Sequence, residues 1–180
     1  SIGSPNPPHY PFNINYLSKG HNVLNIDNID GFIHNEWNLN TKNDDLLTLS
    51  LGLRANYWGY NDEVNISPRA GIAYKPSWNK DMLFRLSGGV YVQPPFYREL
   101  RMFDGCLISP DKASTQKSYQ VVFTHEYNFK AWDRPFVLTS EIYYKYLKDI
   151  VPYEVDNIRI RYYADQKATG YATGMDIRIN

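Results

Sequence analysis

The segment LLTLSLGLRANY, Leu46 to Tyr57, places Leu47, Leu49, Leu51, Leu53, Ala55 and Tyr57 in one phase. Thr48, Ser50, Gly52, Arg54 and Asn56 fill the other. A period of two sustained over this length belongs to a β-strand with one apolar and one polar face. Six further segments alternate in the same way: Gly31 to Asn40, Asn65 to Lys75, Met82 to Gln93, Lys117 to Phe129, Phe136 to Lys148 and Ala168 to Asn180. No window carries a capped i, i+3, i+4, i+7 apolar stripe, so the chain reads as all-β.

The composition agrees with this reading. The 180 residues include 16 Tyr, 8 Phe and 4 Trp, yet mean hydropathy is only −0.52, as interleaved aromatic and polar residues produce. Nineteen basic residues balance nineteen acidic ones, which gives no long-range attraction to nucleic acid. Cys106 is the single cysteine, so neither a disulfide framework nor a cysteine metal site is available. No run approaches the roughly 18 apolar residues of a spanning helix. The opening SIGSPNPPHYPF lacks the charge and apolar core of a secretory leader.

Alternation alone fits both a soluble sandwich and a membrane barrel. Strand length favours the barrel, because the segments run to 13 residues, whereas soluble strands cluster near five or six and a tilted membrane strand needs about 9 to 11. Connections point the same way. Residues 41–45, 76–81 and 130–135 form short links, whereas 58–64, 94–116 and 149–167 are longer, the plan of tight turns at one rim and loops at the other. Glu36, Arg54, Arg69, Lys75, Arg85, Glu126, Glu141, Lys145, Asp176 and Arg178 all fall in the polar phase. Leu47, Leu49, Leu51, Leu53, Phe84, Leu86, Val90, Phe123, Leu138 and Ile142 are expected to face outward. Tyr57, Trp58 and Tyr60 at one level, and Tyr74, Trp78, Phe129 and Trp132 at the other, are expected to form interface girdles.

Seven strands leave the two ends on opposite rims, whereas up-and-down bacterial barrels close with an even number. The expected architecture is therefore an antiparallel up-and-down transmembrane β-barrel section of a larger barrel. Residues 1–30 lead into the first strand, and residues 31–180 form the partial barrel domain.

Several stretches resemble the TonB-dependent outer-membrane receptors of the Bacteroidetes type. SPRAGIAYKP, Ser67 to Pro76, is similar to a mid-barrel strand of that family. RLSGGVYVQPPFYREL, Arg85 to Leu100, is similar to the strand after it and its exit. SEIYYKYLKDIV, from Ser140, and ATGYATGMDIRI, from Ala168, resemble two later strands. No stretch matches the family's plug domain, its energy-coupling box or its aromatic-ended last strand. The resemblance implies a bacterial outer-membrane location and uptake of a scarce nutrient such as a metal chelate, cobalamin, glycan or peptide. It implies as partners the TonB complex, outer-membrane lipid and, optionally, a surface lipoprotein. A soluble aromatic-rich β-sandwich binding module and a secretion or assembly barrel are the competing readings.

Catalytic signatures are missing, and no enzyme, cofactor or metal is expected. His9, His21, His34 and His125 lack ligand spacing, and NIDNIDG, Asn25 to Gly31, misses the calcium-loop pattern. Gly88-Gly89 lies within a strand, and Glu126 with Glu141 reads as wall charge rather than a glycosidase pair. Cys106, in a long loop, reads as an incidental thiol. Two groups of residues carry functional expectations. Arg54, Arg69, Arg85, Glu126, Glu141 and Asp176 are expected to face a plugged lumen, with the three arginines in an oblique row. Gln93, Phe96, Tyr97, Arg98, Arg101, Tyr153, Arg159, Arg161 and Tyr162 are expected to bind ligand from the long loops, where flat aromatic surface meets fixed positive charge.

Overall fold

The computed structural model describes residues 22–40, 45–156 and 159–180. Among these residues nine strands are present: β1 Asn28–Asn40, β2 Leu46–Trp58, β3 Glu63–Lys75, β4 Asp81–Gln93, β5 Gln116–Ala131, β6 Arg134–Ile150, β7 Tyr153–Asp156, β8 Arg159–Tyr162 and β9 Ala168–Ile179. No helix occurs among the described residues. Seven strands form one antiparallel sheet in the order β1-β2-β3-β4-β5-β6-β9. The other two pair with each other as a separate hairpin. All seven segments expected from alternation are the seven strands of the sheet.

Register turns the separate alternations into two coherent faces. One row reads Trp37, Leu49, Ile72, Leu86, Phe123, Ile142 and Met175 from β1 to β9. The residue before or after each of these belongs to the opposite face. There Arg54, Arg69, Arg85, Glu126, Glu141 and Asp176 all fall. The ten residues expected to face outward share the apolar face, and none is buried. Leu51, Leu53, Phe123 and Ile142 are 44%, 45%, 41% and 51% exposed. No second sheet is stacked on them among the described residues, so a sandwich within the chain is ruled out there.

The small core sits at one end. Trp58, Leu100, Ile108 and Ala113 are the buried hydrophobics among the described residues, joined by Leu24, Ile26, Tyr60, Met102, Leu107 and Ala164. The segment 94–115 folds back over the end of β2 to make this cap, and the approach to β1 is fastened to it by Asn22 Nδ2 donating to the Gly105 carbonyl at 2.8 Å. Trp58 and Tyr60 are therefore not girdle residues. Trp58 lies in the polar phase, where the overlying loop leaves it 1% exposed. Residues 1–21 of the expected lead-in lie outside the described residues.

Turns also differ from expectation. The β5–β6 connection is a two-residue hairpin at Trp132 and Asp133, both with positive φ (49° and 58°), the geometry of a type I′ turn. The β2–β3 link is a tight turn over 59–62 rather than a long loop. The contrast between rims therefore rests on 94–115 and 151–167. The ladder between β3 and β4 runs only from Arg69↔Gly89 to Tyr74↔Phe84. It stops beside Pro68, which has no N–H to donate.

At the short-turn rim Asp45 stitches two connections together. Its carboxylate accepts from the Ser77 amide at 2.7 Å and the Tyr74 hydroxyl at 2.9 Å. Those hydrogen bonds, the Ser77 amide first, hold its carboxyl below the ordinary carboxylate value of 3.8. The folded-state pKa is depressed, so this contribution is present above the unfolded value and lost as pH falls through the folded one. Amide exchange at Ser77 is expected to accelerate in Asp45→Asn at neutral pH and, in the wild type, only below that carboxylate range. Equal exchange in both proteins at neutral pH would show that the stitch carries no stability.

Candidate functional site

The long-loop rim gathers the residues expected to meet ligand. Segment 94–115 leaves β4 through Pro94 and Pro95 and turns at Phe96 to Leu100, where the Glu99 and Leu100 amides donate to the Phe96 carbonyl at 2.9 and 3.2 Å. Glu99 holds this turn. Its carboxylate accepts from the Phe96 amide at 2.8 Å and from Gln116 Nε2 at 2.9 Å. Glu99 is thus engaged with the loop backbone, which leaves Phe96, Tyr97 and Arg98 exposed. Gln93 is exposed at the end of β4, and Arg101 is half-buried in a backbone bridge to Leu107.

The connection 151–167, read from sequence as an open loop, contains the β7–β8 hairpin. Tyr153 faces Tyr162 with ring centroids 5.9 Å apart, and Val155 faces Ile160, giving the hairpin an apolar side. Arg161 Nη1 lies 3.8 Å from Glu154 Oε1 on the other side. Arg159 is in β8 in register with Asp156, and residues 157 and 158 lie outside the described residues. The Tyr163 hydroxyl hydrogen-bonds Glu154, which raises its pKa above the usual tyrosine value. The same ring packs edge-on against Phe103 with centroids 4.9 Å apart. Phe103, Tyr163 and the packing of Ala164 on the core hold the two loops side by side. Tyr163, which shares the loop's aromatic chemistry, is used for this joint.

Beneath the loops lies a polar cluster that sequence reasoning did not find. Thr115 is fully buried. Its hydroxyl lies 2.9 Å from Glu63 Oε1 and 2.8 Å from Asn65 Oδ1, and its amide donates to Glu63 Oε2 at 3.2 Å. Asn61 Nδ2 donates to the Ala113 carbonyl at 3.0 Å, and Lys117 Nζ approaches Glu63 at 3.8 Å. These contacts tie the loop to β3 above the point where the β3–β4 ladder ends. No sequence pattern announces them, because their members come from two strands and a loop some 50 residues apart.

On the polar face the expected charges sit in register, and Arg54, Arg85 and Glu126 are ion-paired within the sheet. Arg54 holds Asp30 at 2.8 Å and Arg85 holds Glu126 at 2.9 Å. Arg69 instead lies over the Tyr91 ring, 4.5 Å from its centroid. The oblique descent of the three arginines is real. Arg54 is opposite Ser67, Arg69 opposite Gly52, and Arg85 opposite Ala73, which pairs with Thr48. Glu141 faces Asp176 across β6 and β9, with Glu126 one step away opposite Thr139.

Among the described residues no group of His, Cys, Asp and Glu could hold a metal ion. No protein-family model, curated protein or solved structure matches the chain.

Replacing Thr115 with Val removes one hydroxyl and leaves Glu63 and Asn65 short of a partner, a cost of roughly 1–3 kcal/mol. Limited proteolysis within 94–115 is expected to speed up accordingly, while Thr115→Ser stays near wild type. Equal cleavage of Thr115→Val and wild type would show that the loop is held by Trp58 and its neighbours alone.

Proposed function

We propose that this chain is a section of the β-barrel wall of an outer-membrane, TonB-dependent receptor that takes up a scarce nutrient. One observation carries the proposal: the apolar face is continuous across all seven strands and is not covered by any other part of the described chain. Contiguous apolar surface on this scale needs an apolar neighbour, and hydrocarbon supplies one along the whole sheet. Strand length fits. Thirteen residues, the length of β1 to β4, rise about 43 Å, and a strand tilted by roughly 45° then spans about 30 Å, the thickness of a bilayer core. Charge placement fits as well, because the strand ion pairs Arg54–Asp30, Lys75–Asp81 and Arg85–Glu126 lie on the opposite, lumen-facing side.

The division of labour follows from this orientation. The rim bearing 94–115 and 151–167 faces outside the cell and meets ligand first, through Phe96, Tyr97, Arg98, Tyr153 and Tyr162. Short turns face the periplasm. Uptake rather than secretion rests on the resemblance of the Ser67 to Pro76 and Arg85 to Leu100 stretches. The exposed aromatic and arginine side chains at the long-loop rim are suited to binding.

Adjacent residues of β4 test the orientation. In the full-length receptor refolded in lipid vesicles, Leu86→Arg is expected to destabilise by about 2–4 kcal/mol, and Ser87→Arg, on the lumen side, far less. Equal costs would sink the barrel assignment. Uptake is expected to require an intact TonB complex, and ligand accumulation that persists without it would leave the barrel but remove the receptor.

A further inference from the structure

The polar face carries one row whose charges are not balanced within the wall. Register places His34, Gly52, Arg69, Gly89, Gln120, Lys145 and Ala172 at one level from β1 to β9. The row contains no carboxylate. Arg54, Lys75 and Arg85 elsewhere on this face each hold an acid, at 2.8, 2.7 and 2.9 Å. Among the described residues Arg69 and Lys145 hold none. Both instead rest over tyrosine rings, Arg69 4.5 Å from the centre of Tyr91 and Lys145 5.3 Å from that of Tyr143. An aromatic ring steadies a cation without neutralising it, so each keeps its charge for a further partner.

Glycine clears the ground on both sides of Arg69. A Cβ on Gly89 would stand 3.0 Å from Arg69 Cγ, and one on Gly52 3.9 Å from Arg69 Cβ and 3.3 Å from His34 Nδ1. The guanidinium therefore lies beside an open floor of backbone. Arg69 and Lys145 are three strand spacings apart, about 14 Å. A lone carboxylate or phosphate reaches one of them and not the other.

We infer that this row is the contact surface for an extended acidic segment of polypeptide lying across β3 to β6, with two carboxylates about four residues apart. At about 3.4 Å per residue an extended chain covers the 14 Å in about four residues, and an even spacing puts both side chains on the same side. Gln120, between the two cations, meets the intervening backbone. The inference rests on the assignment of this face to a filled lumen, where the segment belongs to the part of the receptor that occupies it. Charge complementarity at such a surface fixes register more than it adds affinity.

A photo-activated cross-linker tests the surface in the full-length receptor in its own membrane. With p-benzoylphenylalanine replacing Gln120, the expected adduct is a peptide of the receptor bearing two acidic residues about four apart. Reversing both charges, Arg69→Glu with Lys145→Glu, is expected to lower its yield about tenfold, and the milder Arg69→Gln with Lys145→Gln by less. The same cross-linker at Ile142, on the apolar face, is expected to capture lipid in every variant and thereby reports folding and insertion. A lipid adduct at Ile142 with no peptide at Gln120 would overturn the inference while leaving the barrel standing. So would a small-molecule adduct, a peptide without the acidic pair, or a yield unmoved by charge reversal. Failure to capture lipid at Ile142 in the wild type would instead overturn the barrel assignment itself.

Discussion

Everything in this protein depends on the antiparallel ladder that keeps seven alternating strands in one register. Because side chains alternate strictly across a pleated sheet, a single-residue slip anywhere would send a whole strand's leucines and isoleucines to the charged side. The register from Trp37 through Ile72 and Phe123 to Met175 holds every strand in phase. The sheet has no interior in the usual sense. Neighbouring strands satisfy one another's backbone groups along their ladders, and the two faces are left to whatever surrounds them.

That arrangement explains why the hydrophobic core is so small and so eccentric. In a globular domain the alternating leucines of β2 would be buried against a second layer. Here the four buried hydrophobics of the described residues lie at the rim, where 94–115 closes over Trp58. The cap takes over where the ladder weakens. Pro68 interrupts donation from β3, the β3–β4 pairing ends at Arg69, and Thr115 joins the loop to Glu63 and Asn65 just beyond. Side-chain hydrogen bonds thus continue a connection that the backbone could not.

The rim and the polar face differ in how they use charge. At the rim, Glu99 and Glu63 are spent on holding loop backbone, leaving aromatic and arginine side chains of the 96–98 turn outside. On the sheet, acids neutralise Arg54 and Arg85 but leave the level of Arg69 and Lys145 positive. The pairing thus leaves two cations, and no carboxylate, at one level of this face.

All-β character, the seven sheet strands and the division of apolar from charged residues could be read from the chain alone, because period two is a local property of each segment. The residues expected on the apolar face and those expected on the polar face are found there for the same reason. What the sequence could not distinguish was context at the strand ends. Trp58 closes a strand with the same aromatic signature as a girdle residue, and only the fold-back of a loop forty residues later buries it. Tyr-Glu-Val-Asp and Arg-Ile-Arg-Tyr alternate too briefly to stand out from a loop, and become β7 and β8 only through pairing with each other. Likewise, Arg54 and Arg69 look equivalent in sequence. Tertiary pairing decides that one reaches Asp30, two residues along from its partner Phe32, and the other a tyrosine, because neighbours across a sheet come from segments distant along the chain.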